Sequence, residues 1–323
     1  MEPARSRVLL GRRKAGMSPR PFVFLLALLA LCLTRPKLAL AWGPTAHDIV
    51  TTWAIQTLPP EIRSFFENNR QFLLEHANDA DALMKTDRYE RMRHYIYLDK
   101  YGVFPFPDLP HDYGQAKEKF NSWRINRDGL LPWQIGEFSL RLTKSMKAEN
   151  WEEVKLDAAA LAHYVADAHD PLHTTQNFDG QLTRQNGLSA RFDIHLFERY
   201  SKFFIMHPES AEKIDDPTEY AFQTCLASHV WVNLIIWSDL RAREGLADYN
   251  DEYYDGFYDR VGPTVAHEIN AAARDAGSYW YTAWLNAGRP QLPARKIRPV
   301  TDCRPQDMEE RTDRARRALH RLA

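Results

Sequence analysis

Apolar residues along this chain recur at three- and four-residue intervals over long stretches, which places them on one face of a helix. The pattern predicts helices over Ile49–Leu58, Glu61–Leu74, Gly136–Met146, Val154–Ala168, Glu219–Arg243 and Thr264–Leu285. Punctuation supports several of these limits: Asp216-Pro217 opens one helix, and Gly288 and Pro290 follow another. No alternating run bounded by hairpin turns occurs, so a sheet finds no place. The expected fold is all-α, a single-domain multi-helix bundle. The proline-rich stretch Tyr101–Gly114 and the segment Asp179–Gly187 read as ordered loops. From Leu292 the chain turns charged and poor in large apolar residues, a peripheral tail (292–323) with one helix over Gln306–Leu322.

The first 41 residues follow a different logic. Arg12, Arg13, Lys14 and Arg20 precede the apolar run Phe22–Leu33, and Ala39-Leu40-Ala41 supplies small residues for a peptidase. The run is too short to span a bilayer, and the order is that of a signal peptide. Cleavage after Ala41 is expected, giving a secreted or periplasmic protein that begins at Trp42. Residues 1–41 hold eight Lys/Arg and one Glu, so removing them takes the net charge from −1 to −8. An acidic surface does not favour broad electrostatic binding of nucleic acid. Cys225 and Cys303 remain; export permits a disulfide between them without requiring one. They are too few for a thiolate zinc site, so any metal here is held by histidine and carboxylate.

Four clusters carry candidate chemistry. In His163-Tyr-Val-Ala-Asp167-Ala-His169-Asp170-Pro171-Leu-His173, His163 and Asp167 leave one helix face a turn apart. Pro171 ends that helix and lets His173 fold back toward them. A buried helix with hydrogen-bonded histidines is the plain alternative. Trp42, once freed, offers an α-amino group and its own carbonyl to one metal, with His47 following in the next helix. His94 lies in Glu90-Arg-Met-Arg-His94-Tyr, after Asp79-Ala-Asp81; taken alone, a surface carboxylate pair and a partly buried histidine is the plainer reading. Last, Ser189-Ala-Arg-Phe-Asp193-Ile-His195-Leu-Phe-Glu198 reads as a metal-binding helix or as a charged amphipathic one.

Taken in order, Trp42, His47, Asp81, His94-Tyr95, His163, Asp167, His173 and Asp193 resemble the zinc-dependent phospholipase C and fungal single-strand nuclease superfamily, over roughly Trp42–Pro290. Leu131-Pro132-Trp133 and Tyr281-Thr-Ala-Trp284 add to the likeness. The resemblance implies a zinc-dependent phosphodiesterase domain over residues 42–291, all-α, with three zinc ions in a cleft. It implies one ion on Asp81, His94, His163 and Asp167, and a second on the Trp42 amine and carbonyl, His47 and the other oxygen of Asp167. A third would take His173 and the pair on the last helix. Asp79 stands beside Asp81 as an alternative. Asp81 is also the candidate to orient or deprotonate the attacking water, with His169 and Asp170 as supporting partners of the ligands.

One position departs from that pattern. Ser189 stands where the resemblance implies a histidine, leaving the third site with His173 and Asp193. His195 is a possible compensating ligand, although two residues from Asp193 it points to a nearly opposite helix face. The implied substrate is a phosphodiester, either a phospholipid headgroup or a single-stranded nucleic acid, with a lean toward the phospholipase type. Tyr95, Phe104, Phe106 and Phe178 are candidates for an aromatic platform under a nucleobase. No obligate protein partner is indicated and a monomer is expected. A secreted zinc-binding protein that has lost catalysis through Ser189 is the reading from a different class.

Overall fold

The structure, a computed structural model, describes residues 42–293. The expected signal peptide, the tail helix Gln306–Leu322 and Cys303 lie outside the described residues. Every regular element among the described residues is helical, as the periodicity predicts: α1 (Pro44–Thr57), α2 (Pro60–Asn68), α3 (Arg70–His76), α4 (Asp79–Leu83), α5 (Tyr113–Phe120) and α6 (Ser122–Asp128). Then follow α7 (Leu131–Lys147), α8 (Trp151–Ala168), a π-helical segment (Ala190–Leu196) running into α9 (Phe197–Tyr200), α10 (Pro217–His229), α11 (Val232–Arg243) and α12 (Asp251–Asn286). None of these helices is long and apolar enough to cross a membrane.

Three predicted helices differ from those observed. Glu61–Leu74 is broken at Asn69, whose backbone leaves the helical region (φ −110°, ψ 12°) while its side-chain amide donates to the Phe65 carbonyl at 2.8 Å. Asparagine competes with helical hydrogen bonding in this way. Glu219–Arg243 divides at Val230-Trp231 into α10 and α11. Thr264–Leu285 is the second half of a 36-residue helix that runs through Pro263 and starts at Asn250, whose side chain accepts from the Tyr253 N–H at 3.0 Å. Proline removes one ladder hydrogen bond, and the buried face of α12 on both sides of Pro263 holds the helix together across it.

Helix α8 is the centre of the bundle. Its residues from Val154 to Ala168 are buried on nearly every side, and Glu152 and Glu153 in its first turn favour the N-terminal end of the dipole. Helices α7, α12, α1 and α3 pack around it. Trp280 of α12 is fully buried, stacks on Phe66 at 4.6 Å and donates its indole N–H to the Ala158 carbonyl at 2.9 Å. Helices α1 and α12 approach closely because residue 277 is glycine; a Cβ there would meet Thr57 Oγ1 at 2.0 Å and the Ala54 carbonyl at 3.0 Å. That contact carries α1, and His47 with it, onto the face of α8 from which Asp167 projects.

Candidate metal centre

The donors come from four places that the fold draws together. His163 and Asp167 leave α8 one turn apart, and His47 leaves the buried face of α1. His173 sits in a 3-10 turn (Pro171–Thr174) that starts because Pro171 ends α8 and Asp170 caps the turn, accepting from the Leu172 N–H at 2.8 Å. His94 lies on an irregular segment pinned at both edges. The N–H groups of Leu130, Leu131 and Tyr97 bond to Met92, Tyr95 and Asp128 carbonyls, and the Ile96 N–H bonds to the His173 carbonyl. Gly129, at φ +106°, permits this seam, since a Cβ there would sit 2.1 Å from the Tyr95 carbonyl oxygen.

Asp81 Oδ1 and Asp167 Oδ2 both approach the pair of ring nitrogens His94 Nδ1 and His163 Nε2, and Asp81, His94 and His163 form a group that could hold a metal ion. His94 Nδ1 is 2.9 Å from Asp167 Oδ2, 3.2 Å from His163 Nε2 and 3.9 Å from Asp81 Oδ1. His163 Nε2 is 3.6 Å from Asp167 Oδ2 and 3.8 Å from Asp81 Oδ1. Ligands at about 2.0–2.1 Å from a tetrahedral zinc stand about 3.4 Å from one another, the middle of this range. The other oxygen of Asp167 faces away from this point, 3.6 Å from His47 Nε2, and the His47 ring stacks on that of His163 at 3.9 Å. Asp167 is thus placed to bridge two positions. Asp81 rather than Asp79 faces the cluster, for the exposed Asp79 pairs with His76 at 2.6 Å.

Hydrogen bonding at the rear of the rings sets which nitrogen faces the centre. His163 Nδ1 donates to the Ala77 carbonyl at 2.8 Å and His173 Nδ1 to the His94 carbonyl at 2.5 Å, so both present an Nε2 lone pair. Such outer partners fix tautomer and ring orientation in metal sites. Buried atoms with no hydrogen-bond partner include both ring nitrogens of His47, Nε2 of His94, Asp81 Oδ1, Asp167 Oδ1, Asp170 Oδ2 and both carboxylate oxygens of Asp193. Orphaned buried polar atoms are costly; others occur elsewhere, such as Gln134 Nε2 and Arg141 Nη1, but these eight belong to residues of metal-ligating type. The residues present fit a divalent cation.

Electrostatics agree. Burial alone would lower His94, but carboxylates of Asp167 and Glu90 flank its two ring nitrogens and lift its pKa to about 10. Burial would raise Asp167, yet His163, His94 and His173 around it hold it well below the usual carboxylate range. Burial and the neighbouring His163 push His47 down. The arrangement therefore calls for positive charge between the carboxylates. A proton on His94 supplies one unit, and a divalent cation supplies two.

One residue central to the site is not singled out by its sequence pattern. Glu90 is fully buried, bonds to Arg93 at 2.7 Å and to the Tyr164 hydroxyl, and lies 3.4 Å from His94 Nε2. Its four-residue spacing from His94 is the signal that could have found it. Asp170, read as a supporting partner, is buried and has one oxygen 3.8 Å from His173 Nε2. Conversely, His195 is exposed and its ring lies edge-on to Tyr254, so it does not join Asp193. Ser189 is buried near Asp193. Trp42 is buried against Phe197 at 4.8 Å, and the next N–H, that of Gly43, bonds to the Asp193 carbonyl at 3.0 Å. Cys225 is buried in α10 with no disulfide among the described residues.

A small cavity opens beside His94 and His173, bordered by Arg91, Tyr95, Tyr97 and Phe178, with space of about 10 Å³, the room of one water. Tyr95 and Tyr97 stack at 4.3 Å, and Tyr97 and Phe178 are nearly parallel at 5.9 Å. Of the expected aromatic platform, Tyr95 and Phe178 border this cavity. Phe106 is buried against His229 and Phe104 packs edge-on to Phe106, neither of them on its wall.

Against known proteins, the sequence matches no family model and no curated protein. Among solved structures it is similar to the alpha toxin from Clostridium absonum. The similarity has 12% sequence identity, a TM-score of 0.48, and covers 80% of this chain and 67% of that one. What the site can do chemically rests on its donors.

Proposed function

We propose that the chain is an exported zinc-dependent phosphodiesterase, phospholipase C-like in its substrate. The observation that carries this reading is the spacing of 2.9–3.9 Å that separates His94 Nδ1 and His163 Nε2 from each other and from Asp81 Oδ1 and Asp167 Oδ2, in a pocket where His47, Asp81 and Asp167 keep buried atoms without a hydrogen-bond partner. Those four residues would hold one zinc ion. His47 and Asp167 Oδ1 would hold a second, completed by the Trp42 amine and carbonyl once a peptidase has cut after Ala41. Bound zinc supplies Lewis acidity, lowering the pKa of water toward roughly 7 and neutralising charge on phosphate oxygens.

The chain's own residues divide the remaining work. Asp81 is the most exposed of the four donors, its side chain 15% accessible against 3% or less for the others, so it is the one of them that water reaches most readily and can give a proton to. Arg91 borders the same cavity and forms no ion pair among the described residues. Its guanidinium is available to bind a phosphate oxygen and to set the diester in line. Glu90 and the Ala77 carbonyl keep His94 and His163 oriented.

The row of parallel rings at Tyr95, Tyr97 and Phe178 favours a second reading, a single-strand nuclease that rests a base on an aromatic face. The deciding experiment assays purified protein beginning at Trp42 on phosphatidylcholine, single-stranded DNA and bis(p-nitrophenyl) phosphate, before and after chelation. The proposal expects turnover of the small diester, lost on chelation and restored by zinc, with phosphatidylcholine the better natural substrate. Preference for DNA would move the protein to the nuclease reading. Stoichiometric zinc without turnover of any of the three would make it a zinc-binding protein.

A further inference from the structure

Helix α11 is apolar on two sides. Val232, Ile235 and Ala242 pack inward, whereas Trp237 and Leu240 are half exposed on the opposite side. Val230, two turns before Trp237 in helical backbone that runs on through Trp231, extends the outer face and is half exposed as well. A helix apolar toward solvent as well as toward the core has a further surface to cover. Two other segments continue this face. The Gln185 side chain donates to the Ile236 carbonyl at 2.9 Å and ties to α11 the loop that carries Leu182. At the other end His229 Nδ1 lies 2.9 Å from Thr174 Oγ1, its ring stands edge-on to Phe106 at 5.0 Å, and Phe106 meets Phe104 at 5.8 Å. Leu182, Val103 and Phe104 are each at least half exposed. Thr174 follows His173, so the band of exposed apolar side chains ends one residue from the wall of the cavity beside the metal centre.

Charge sets this face apart. From Trp42 onward the chain carries a net −8, yet segments 102–107, 180–186 and 230–243 contain one carboxylate against three arginines. That carboxylate, Asp239, is buried and accepts from Arg191 and Gln185 at 2.9 and 2.6 Å. Of the arginines, Arg184 and Arg241 are exposed, and the Arg241 guanidinium lies 5.5 Å over the Trp237 ring while pairing with Glu244 just past the helix. Apolar side chains led by a tryptophan and flanked by arginines complement the interfacial layer of a bilayer, where indole rings sit at headgroup depth and guanidiniums meet lipid phosphates. We propose that this face docks on a phospholipid bilayer, with Phe104, Val230, Trp237 and Leu240 entering the interfacial layer. The docking rests on the phospholipase C-like reading of the metal centre and names the surface by which that centre meets its substrate. Headgroups of the seated bilayer arrive beside His173, at the end of the band.

The test is co-sedimentation of zinc-loaded protein beginning at Trp42 with sucrose-loaded vesicles of a phosphonate analogue of phosphatidylcholine, in which carbon replaces the scissile oxygen so that the vesicles stay intact. Wild type should pellet with the vesicles. Trp237→Ser/Leu240→Asn should need about tenfold more lipid for half binding, and Phe104→Ser should shift it less in the same direction, both turning over bis(p-nitrophenyl) phosphate at the wild-type rate. Vesicle binding by Trp237→Ser/Leu240→Asn equal to that of wild type overturns the proposal, as does wild type left in the supernatant; turnover of the small diester then leaves the metal centre standing. Wild type that pellets but leaves ordinary phosphatidylcholine uncleaved upholds the docking surface and overturns the phospholipase reading. Sedimentation velocity without lipid tests the other occupant. A wild-type dimer that Trp237→Ser/Leu240→Asn converts to monomer would put a second copy on this face and overturn the bilayer.

Discussion

Asp167 and His169 are two residues apart at the end of one helix, and each belongs to a buried cluster of histidine and carboxylate. Around His169 every strong group is answered. Its Nδ1 lies 3.0 Å from Glu268 and its Nε2 3.0 Å from Asp275, and Asp275 also accepts from Tyr220 and Arg274. Around Asp167 the same residue types stand at ligand spacing, with orphaned atoms on His47, His94, Asp81 and Asp167 itself. A structural imidazolium is thereby told from a metal cage. Composition is shared, and hydrogen-bond satisfaction separates them. The first cluster is closed by a proton; the second is arranged for a cation.

That comparison can be broken at either cluster. The largest effect is expected from Asp167→Asn, which removes the carboxylate shared by two positions. Bound zinc should fall and hydrolysis of bis(p-nitrophenyl) phosphate should drop by about 10³-fold or more, with helical circular dichroism retained. Removing zinc from wild type by chelation should lower the melting temperature by about 10 °C, as expected for a ligand worth about 4 kcal/mol to the folded state.

His169→Gln should do the reverse: zinc content unchanged, stability reduced by about 3–5 kcal/mol in urea denaturation, because buried carboxylates lose their partner. Here burial would lower the histidine pKa, but Asp275 and Glu268 outweigh it and raise it to about 9. A folded-state value above the ordinary 6.5 means this stabilisation is complete below pH 6.5 and is lost as pH rises through 9. Chelated wild type should therefore lose about 3 kcal/mol more than the variant over that interval.

Two smaller effects sharpen the picture of the cage. Glu90→Gln weakens the buried carboxylate behind His94, and zinc affinity should fall 10- to 100-fold by competition with a chromophoric chelator. Arg91→Ala should raise KM about tenfold with kcat nearly unchanged, the signature of lost uniform substrate binding. His195→Ala should leave zinc content and rate as they are.

Much of this was legible in the residues. The four-residue step from His163 to Asp167 fixes a shared helix face, and Pro171 does end α8 and return His173 to it. The all-α fold followed from periodicity alone. What stayed hidden depended on contacts distant in sequence. The choice of Asp81 over Asp79 turns on His76 capturing Asp79 at the surface. The inward turn of Asp170 depends on a cap one turn beyond the helix, and the burial of Glu90 on Arg93 and Tyr164. Helix α12 escaped the usual stop at Pro263 because its buried face runs on through it. Asn69 divided a periodic stretch by a side-chain hydrogen bond that spacing does not reveal.

Crystals of the zinc-loaded protein, measured on both sides of the zinc absorption edge, would show whether these side chains hold an ion. An anomalous peak is expected about 2.0–2.2 Å from His94 Nδ1, His163 Nε2, Asp81 Oδ1 and Asp167 Oδ2. A map with no peak among those four atoms, from protein saturated with zinc, would contradict it.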